Sequence, residues 1–224
     1  MPTHDERKHM NEGMRTPEPA GLRERKAAYD ARTAQYLRLG LDRFAAADFV
    51  ATAAGRLTGP ALDIGTGKGI TAMALARKGL DVVSVDTDAD EQTLAAFLAA
   101  EARLQDRIRF VCGDASALSF PDNHFGCAAM MDVLHHLADP LPVLEEIARV
   151  LKPSGILMLA DFSPEGFAIL SRVHREEGRE HPVVGIPLES AEAILSRREF
   201  TPLSRLSGHK HKVSVLMKNT GGQP

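Results

Sequence analysis

The chain has no tryptophan, two tyrosines and 5% aromatic residues in all. It therefore offers no run of rings on which the bases of a single-stranded nucleic acid could stack. Cysteine is nearly absent too: Cys112 and Cys127 have neither the number nor the spacing of a disulfide framework or a zinc site. Both read as small buried hydrophobes. Neither sign of charge prevails, since 27 Lys and Arg stand against 30 Asp and Glu for a formal net charge of −3. That balance argues against a strong nonspecific grip on nucleic acid or on an anionic membrane. No stretch reaches the ~18 apolar residues of a bilayer span, because charges, Gly or Pro interrupt every run. Residues 1–21 are charged, hold three prolines and lack the apolar core of a signal peptide. This segment is expected to be mobile and the protein cytoplasmic.

What the chain does have is ordinary globular composition, with 44% hydrophobic and 25% charged residues over 224 positions, enough for one domain with helical additions. Residues 22–57 read as helices parted by Gly40, with Phe44, Ala47, Ala51 and Ala54 spaced along one helical face. After Gly59-Pro60 short apolar runs alternate with helical ones, the pattern of βαβ units around a parallel sheet. The expected strands are 61–64, 81–85, 108–112, 127–131 and 155–160, each apolar as a strand buried on both faces should be. Helices are expected at 68–78, 89–104 and 140–151. Asp88 with Glu91 forms a capping signal, Gly79 a stop, and Asp139-Pro140 an opening. Beyond residue 160 the rhythm changes to helices near 165–179 and 188–198. Two further runs, 202–207 and 213–217, are too closely joined for a parallel crossover and should pair antiparallel.

The strongest chemical signal is Leu62-Asp63-Ile64-Gly65-Thr66-Gly67-Lys68-Gly69, a strand running into glycines and then a helix. Glycines there permit positive φ and let a ligand approach backbone N–H groups at a helix N-terminus. A phosphate loop would need Gly at position 62 and Ser or Thr at position 69, which are Leu and Gly, so a P-loop NTPase is disfavoured. The spacing Gly-x-Gly-x-Gly also departs from the dinucleotide fingerprint Gly-x-Gly-x-x-Gly. A carboxylate at Asp63 would repel a pyrophosphate but suit a ligand bearing an ammonium and a sulfonium.

On these residues the chain resembles the class I S-adenosylmethionine-dependent methyltransferases, from Ala61 to Asp161 and onward toward Met217. The resemblance implies an α/β, doubly wound, mostly parallel seven-stranded sheet of order 3-2-1-4-5-7-6, with an antiparallel C-terminal hairpin. It divides the chain into the N-terminal helices 22–57, which in similar proteins fold over the cofactor as a lid, and a methyltransferase domain at 58–219 with a helical insertion at about 162–200. Asp86, 17 residues beyond Gly69, matches the carboxylate that takes both ribose hydroxyls. Gly113-Asp114-Ala115 looks like the adenine-edge segment, with a helix cap as the alternative role of Asp114. Met131-Asp132-Val133-Leu134-His135-His136-Leu137 is similar to the segment after strand four in the small-molecule and quinone-biosynthesis members, where backbone near Asp132 faces the methionine part of the cofactor. It lacks the Pro-Pro-aromatic segment of the amino methyltransferases that act on bases. The implied cofactor set is Asp63, Gly65, Thr66, Gly67, Gly69, Asp86, Thr87, Asp114, Ala115 and Asp132, with S-adenosylmethionine as cofactor and S-adenosylhomocysteine as product. In that strand order Cys112 and Cys127 would lie about 14 Å apart across three strand spacings, too far for a disulfide.

Methyl transfer is an in-line displacement on a carbon the cofactor already activates, so no universal catalytic residue carries over. A base is needed only when the acceptor arrives protonated. His135, His136, His174 and His181 are the candidates to contact the acceptor. Tyr29, Tyr36 and Asp161 are further residues of the acceptor side, with ordinary packing as the alternative for the tyrosines, while His209 and His211 read as solvent-facing or structural, with a rim, base or metal site as the alternative. Arg172, Arg175, Arg179, Arg197 and Arg198, interleaved with glutamates, read as a solvated helix face. No metal is expected. The resulting expectation is a methyltransferase acting on a small-molecule acceptor, through carbon or oxygen, without nucleic-acid or membrane partners. The alternatives are a noncatalytic nucleotide-binding protein and a nicotinamide-dependent oxidoreductase.

Overall fold

Five short apolar runs form the parallel part of one twisted sheet because helices cover both of its faces. The computed structural model describes residues 21–180 and 182–220. Strands β1 (Ala61–Ile64), β2 (Val82–Asp86), β3 (Ile108–Cys112), β4 (Phe125–Met131) and β5 (Leu151–Phe162) run parallel, and β6 (Phe200–Gly208) and β7 (His211–Lys218) close the sheet antiparallel. The order is β3-β2-β1-β4-β5-β7-β6, as expected. Strand β7 lies between β5 and β6 and pairs antiparallel with both. Its turn is only His209-Lys210, two residues that both adopt positive φ as a tight hairpin demands.

The helices are α1 (Leu22–Arg38), α2 (Arg43–Thr52), α3 (Ile70–Arg77), α4 (Ala89–Glu101), α5 (Leu141–Val150), α6 (Pro164–Glu176) and α7 (Leu188–Ser196). Helices α2, α3 and α4 bury Val50, Met73 and Leu94 on one face of the sheet, and α5 and α7 bury Leu144, Ile147 and Leu195 on the other. Each such side chain contributes roughly 1.5–3 kcal/mol when fully buried. Helices α1 and α6 meet beyond the carboxyl ends of the strands, where Tyr36, Leu41, Phe162, Leu170 and Val173 form a third cluster. This places a wall beside the end of the sheet where ligands bind in doubly wound folds. Among the described residues no helix is long and apolar enough to cross a membrane.

Three local expectations are corrected. Strand β5 begins at Leu151 rather than Gly155, because Leu151 pairs with Phe125 ahead of an irregularity in the β4–β5 register. The buried face of α2 is Ala46, Ala47, Val50 and Ala51, whereas Phe44 is exposed. The helix starts at Arg43, capped by Asp42, so Phe44 falls in its open first turn and Ala54 beyond its last residue. Cys127 is buried but Cys112 is exposed, at the open end of the edge strand β3. The register also sets Cys127 level with Ile108, so about four residues of strand rise add to the three strand spacings that separate it from Cys112.

Candidate active site

The turn after β1 is built around glycine. Gly65, Gly67 and Gly69 have φ of +80°, +47° and +73°, a region that costs an L-residue about 1–2 kcal/mol. A Cβ on Gly65 would stand 2.3 Å from Cγ2 of Val133, and one on Gly69 would stand 3.1 Å from Cβ of Ala95. At Gly67 the space is open. The loop thus leaves its backbone bare on one side and packs tightly on the other. Gly67 N–H donates to Oδ2 of Asp86 at 2.9 Å, and Asp88 N–H donates to Oδ1 at 3.0 Å. Both oxygens keep a lone pair in reach of a diol.

A polar network lies beneath the loop. Ser84 donates to Oδ2 of Asp63 at 2.7 Å, Thr66 and Ser84 hydroxyls lie 2.7 Å apart, and Gln92 donates to Thr66 and to the Val111 carbonyl. Asp63 is fully buried, and burial pushes its carboxyl up to about 7 against the bond from Ser84. Its Oδ1 has no hydrogen-bond partner.

Above the loop a cavity of about 470 Å³ opens at the carboxyl ends of β1, β2 and β4, in the range of small-molecule sites. Gly65, Thr66, Gly67, Asp86, Thr87, Asp114, Ala115 and Asp132 all line it. Two residues of the expected set do not: Asp63 sits one layer below, and Gly69 serves as the N-cap of α3 against α4. Asp63 faces away because neighbouring strand residues alternate in direction. Asp114 accepts from Ser116 N–H at 2.8 Å, a bond that lowers its carboxyl below the usual range. It therefore caps its own turn as well as lining the cavity.

Asp132, at the end of β4, adopts φ of +59° and is held from two sides. Arg43 Nη2 donates to Oδ2 at 3.0 Å, and His211 Nε2 lies 3.0 Å from Oδ1. Burial alone would raise the Asp132 carboxyl, but the His211 bond and the charges of His211 and Arg43 hold it below the ordinary value. Burial likewise opposes charge on His211, and the bond to Asp132 outweighs it, so that imidazole is raised.

A second cavity of about 150 Å³ adjoins the first and shares Arg43, Lys68, Asp132 and His136 with it. Tyr29, Tyr36, His135 and His174 line it as well. Three of the four histidine candidates therefore meet here, while His181 lies outside the described residues. His135 is buried, with Nδ1 2.7 Å from Oδ1 of Asp161, whose Oδ2 accepts from the His135 N–H at 3.2 Å. A carboxylate there can accept from Nδ1–H and orient the ring. His136, its ring centroid 4.1 Å away, and His174 are both lowered first by burial. His209 packs at a tilt against Phe49, ring centroids 5.5 Å apart, outside both cavities. His211, read from sequence as a rim or structural histidine, is wholly buried in the Asp132 cluster. Of the arginine run, Arg172, Arg179 and Arg198 pair with Glu176, Glu177 and Glu145 at the surface. No group of three or more His, Cys, Asp or Glu among the described residues is placed to hold a metal ion.

Arg43, Lys68, Glu91 and Val133 are cavity residues that sequence reasoning did not single out. Lys68, inside the glycine loop, pairs with Glu91 of α4, and its position in the motif was the available signal. Arg43 carried none, since nothing local ties a residue of α2 to the end of β4.

Residues 62–159 match the family model described as "Methyltransferase domain". A demethylmenaquinone methyltransferase of Renibacterium salmoninarum is 35% identical over 115 residues, 51% of this chain and 46% of that protein. A 27-O-demethylrifamycin SV methyltransferase of Amycolatopsis mediterranei is 34% identical over 149 residues, 64% of this chain and 54% of that protein. The chain thus spans about half the length of these curated relatives. The crystal structure of the [4+2]-cyclase SpnF superposes with a TM-score of 0.65 at 22% identity, covering 80% of this chain and 81% of that one.

Proposed function

We propose that this chain, whose residues 62–159 match a methyltransferase domain and whose sheet has the order β3-β2-β1-β4-β5-β7-β6, is a class I S-adenosylmethionine-dependent methyltransferase that transfers the cofactor's methyl group to a small-molecule acceptor in the second cavity. The observation that carries this reading is the junction of the two cavities, the larger floored by the glycine loop and Asp86, the smaller walled by the histidines. When bound, S-adenosylmethionine supplies a methyl carbon activated by a sulfonium. The residues present fit it. Asp86, its two oxygens already oriented by backbone N–H groups, would accept from the ribose hydroxyls. Gly65 and Gly67 let the ligand approach main chain, and the remaining acceptor capacity of Asp114 suits an exocyclic amine.

On the acceptor side His135, oriented by Asp161, would take the proton of an acceptor that arrives protonated. Helices α1 and α2 would cover the acceptor and exclude water, since Tyr29, Tyr36 and Arg43 close one wall of its cavity. A cyclase shares this fold, so methyl transfer itself is the readout that counts.

Calorimetric titration with S-adenosylmethionine, S-adenosylhomocysteine and NADH, beside Asp86→Ala, tests the reading. Micromolar binding of the two methionine compounds, lost in the variant and absent for NADH, is the expected result. Binding of NADH alone would overturn it. Transfer of radiolabelled methyl to an extract of small molecules would then locate acceptors.

A further inference from the structure

The smaller cavity has a one-sided chemistry. Arg32, Arg43 and Lys68 line it, together with the hydroxyl side chains Tyr29, Thr33 and Tyr36. Among the described residues its only lining carboxylate is Asp132. Both oxygens of Asp132 already face cations, Oδ2 toward Arg43 and Oδ1 toward His211. Glu177 and Glu91, which pair with Arg32 and Lys68, are not part of the cavity wall. A protonated amine entering here would find no uncommitted carboxylate and would stand beside a guanidinium. An oxyanion would find donors on several sides.

A second observation points the same way. Among the described residues Arg43 Nε is buried with no hydrogen-bond partner, and the Tyr29 hydroxyl is buried beside the Thr33 side chain, outside ordinary hydrogen-bond geometry. Buried donors are rarely left so, and each such case calls for a partner. Both belong to side chains on the wall of this cavity. The volume of about 150 Å³ is that of a space able to hold a benzene-sized ring.

We infer that this cavity selects an acceptor of about single-ring size bearing an anionic oxygen, a carboxylate above all, anchored by Tyr29 and Arg43, and discriminates against amines. The inference rests on the methyltransferase reading only in naming the occupant as the acceptor. Its test uses the full chain saturated with S-adenosylhomocysteine and titrated with benzoate, benzyl alcohol and benzylammonium. Benzoate is expected to bind at least tenfold more tightly than the other two. Tyr29→Phe, which removes one hydroxyl, and Arg43→Lys, which keeps a charge beside Asp132 but lacks Nε, should each weaken benzoate roughly tenfold or more, the effect of one hydrogen bond to a charged group. Tyr29→Phe should leave S-adenosylhomocysteine affinity within twofold, since Tyr29 does not line the larger cavity. Benzylammonium binding as well as benzoate, no benzoate binding at all, or benzoate affinity unmoved by Tyr29→Phe would overturn the inference. If S-adenosylhomocysteine itself does not bind, the methyltransferase reading falls, and benzoate titration of the free chain decides the anion site separately.

Discussion

His211 Nε2 lies 3.0 Å from Asp132 Oδ1, while His211 Nδ1 lies 2.8 Å from the His209 carbonyl. A carbonyl can only accept, so Nδ1 carries a proton, and a second proton on Nε2 makes the ring an imidazolium facing a carboxylate. Together with Arg43 this ties α2, β4 and β7 into one charged cluster under the junction of the cavities.

That cluster makes stability depend on pH with a definite sign. The folded value of His211 is raised above its ordinary 6.5, so its contribution is complete below that value and is lost as pH rises through the higher folded one. Asp132 is lowered from 3.8, so its contribution is present above 3.8 and is lost as pH falls through the lower folded value. Melting curves of the natural chain and His211→Gln should therefore differ most near pH 5–6, by about 1–3 kcal/mol or roughly 3–10 °C. The difference should shrink above neutrality. A gap that stays constant from pH 5 to 9 would refute the imidazolium assignment.

The glycine loop predicts two unequal substitutions. Gly67→Ala meets no atom within 4 Å and carries only its positive φ, a cost of about 1–2 kcal/mol. Gly65→Ala adds a 2.3 Å clash with Val133 and should be the more destabilising in denaturant melts, with weaker S-adenosylhomocysteine binding. Adding Val133→Ala should restore part of what Gly65→Ala loses. Equal melting of the single and double variants would show that Val133 is not the obstacle.

In the proposed site Asp161 would be a positioning residue, acting through the ring of His135. Once an acceptor is in hand, Asp161→Asn and His135→Ala should each lower kcat by about 10²–10⁴-fold. Cofactor affinity should stay unchanged, because neither residue lines the larger cavity. KM for the acceptor should move far less than kcat, which a loss of acceptor binding would not produce. An unaltered kcat with a raised KM would reassign the pair to acceptor binding.

The two thiols should separate cleanly. Cys112 is exposed, whereas Cys127 is buried and its thiol is pushed up to about 12 by that burial. Iodoacetamide on the folded chain at pH 8 should label one cysteine, identified by peptide mass as Cys112, and denaturant should release the second. Fast labelling of both in the native state would contradict the packing of β4.

Much of this architecture was legible in the residues. The strands 61–64 and 108–112 lie at the observed bounds, because an apolar run closed by Gly-rich or polar punctuation has few other places to go. The glycine loop, Asp86 and Asp114 were visible for the same reason, since their spacing from a strand end fixes where they emerge. The depth of Asp63 was not: whether a strand residue faces the cavity or the layer beneath depends on the twist and neighbours of the folded sheet. Phe44 misled because helical periodicity shows a face but not where the helix begins.

The sequence by itself determined the alternation of strands and helices, the glycine loop and the presence of histidines after β4, all of which follow from local periodicity and short-range spacing. Only the tertiary structure decided which of those groups meet. Arg43, Asp132 and His211 are separated by 89 and 79 positions, and His135 and Asp161 by 26. Their partnership depends on sheet order and on where α1, α2 and the hairpin settle. No local preference encodes a contact between residues that are brought together solely by the packing of the elements that carry them.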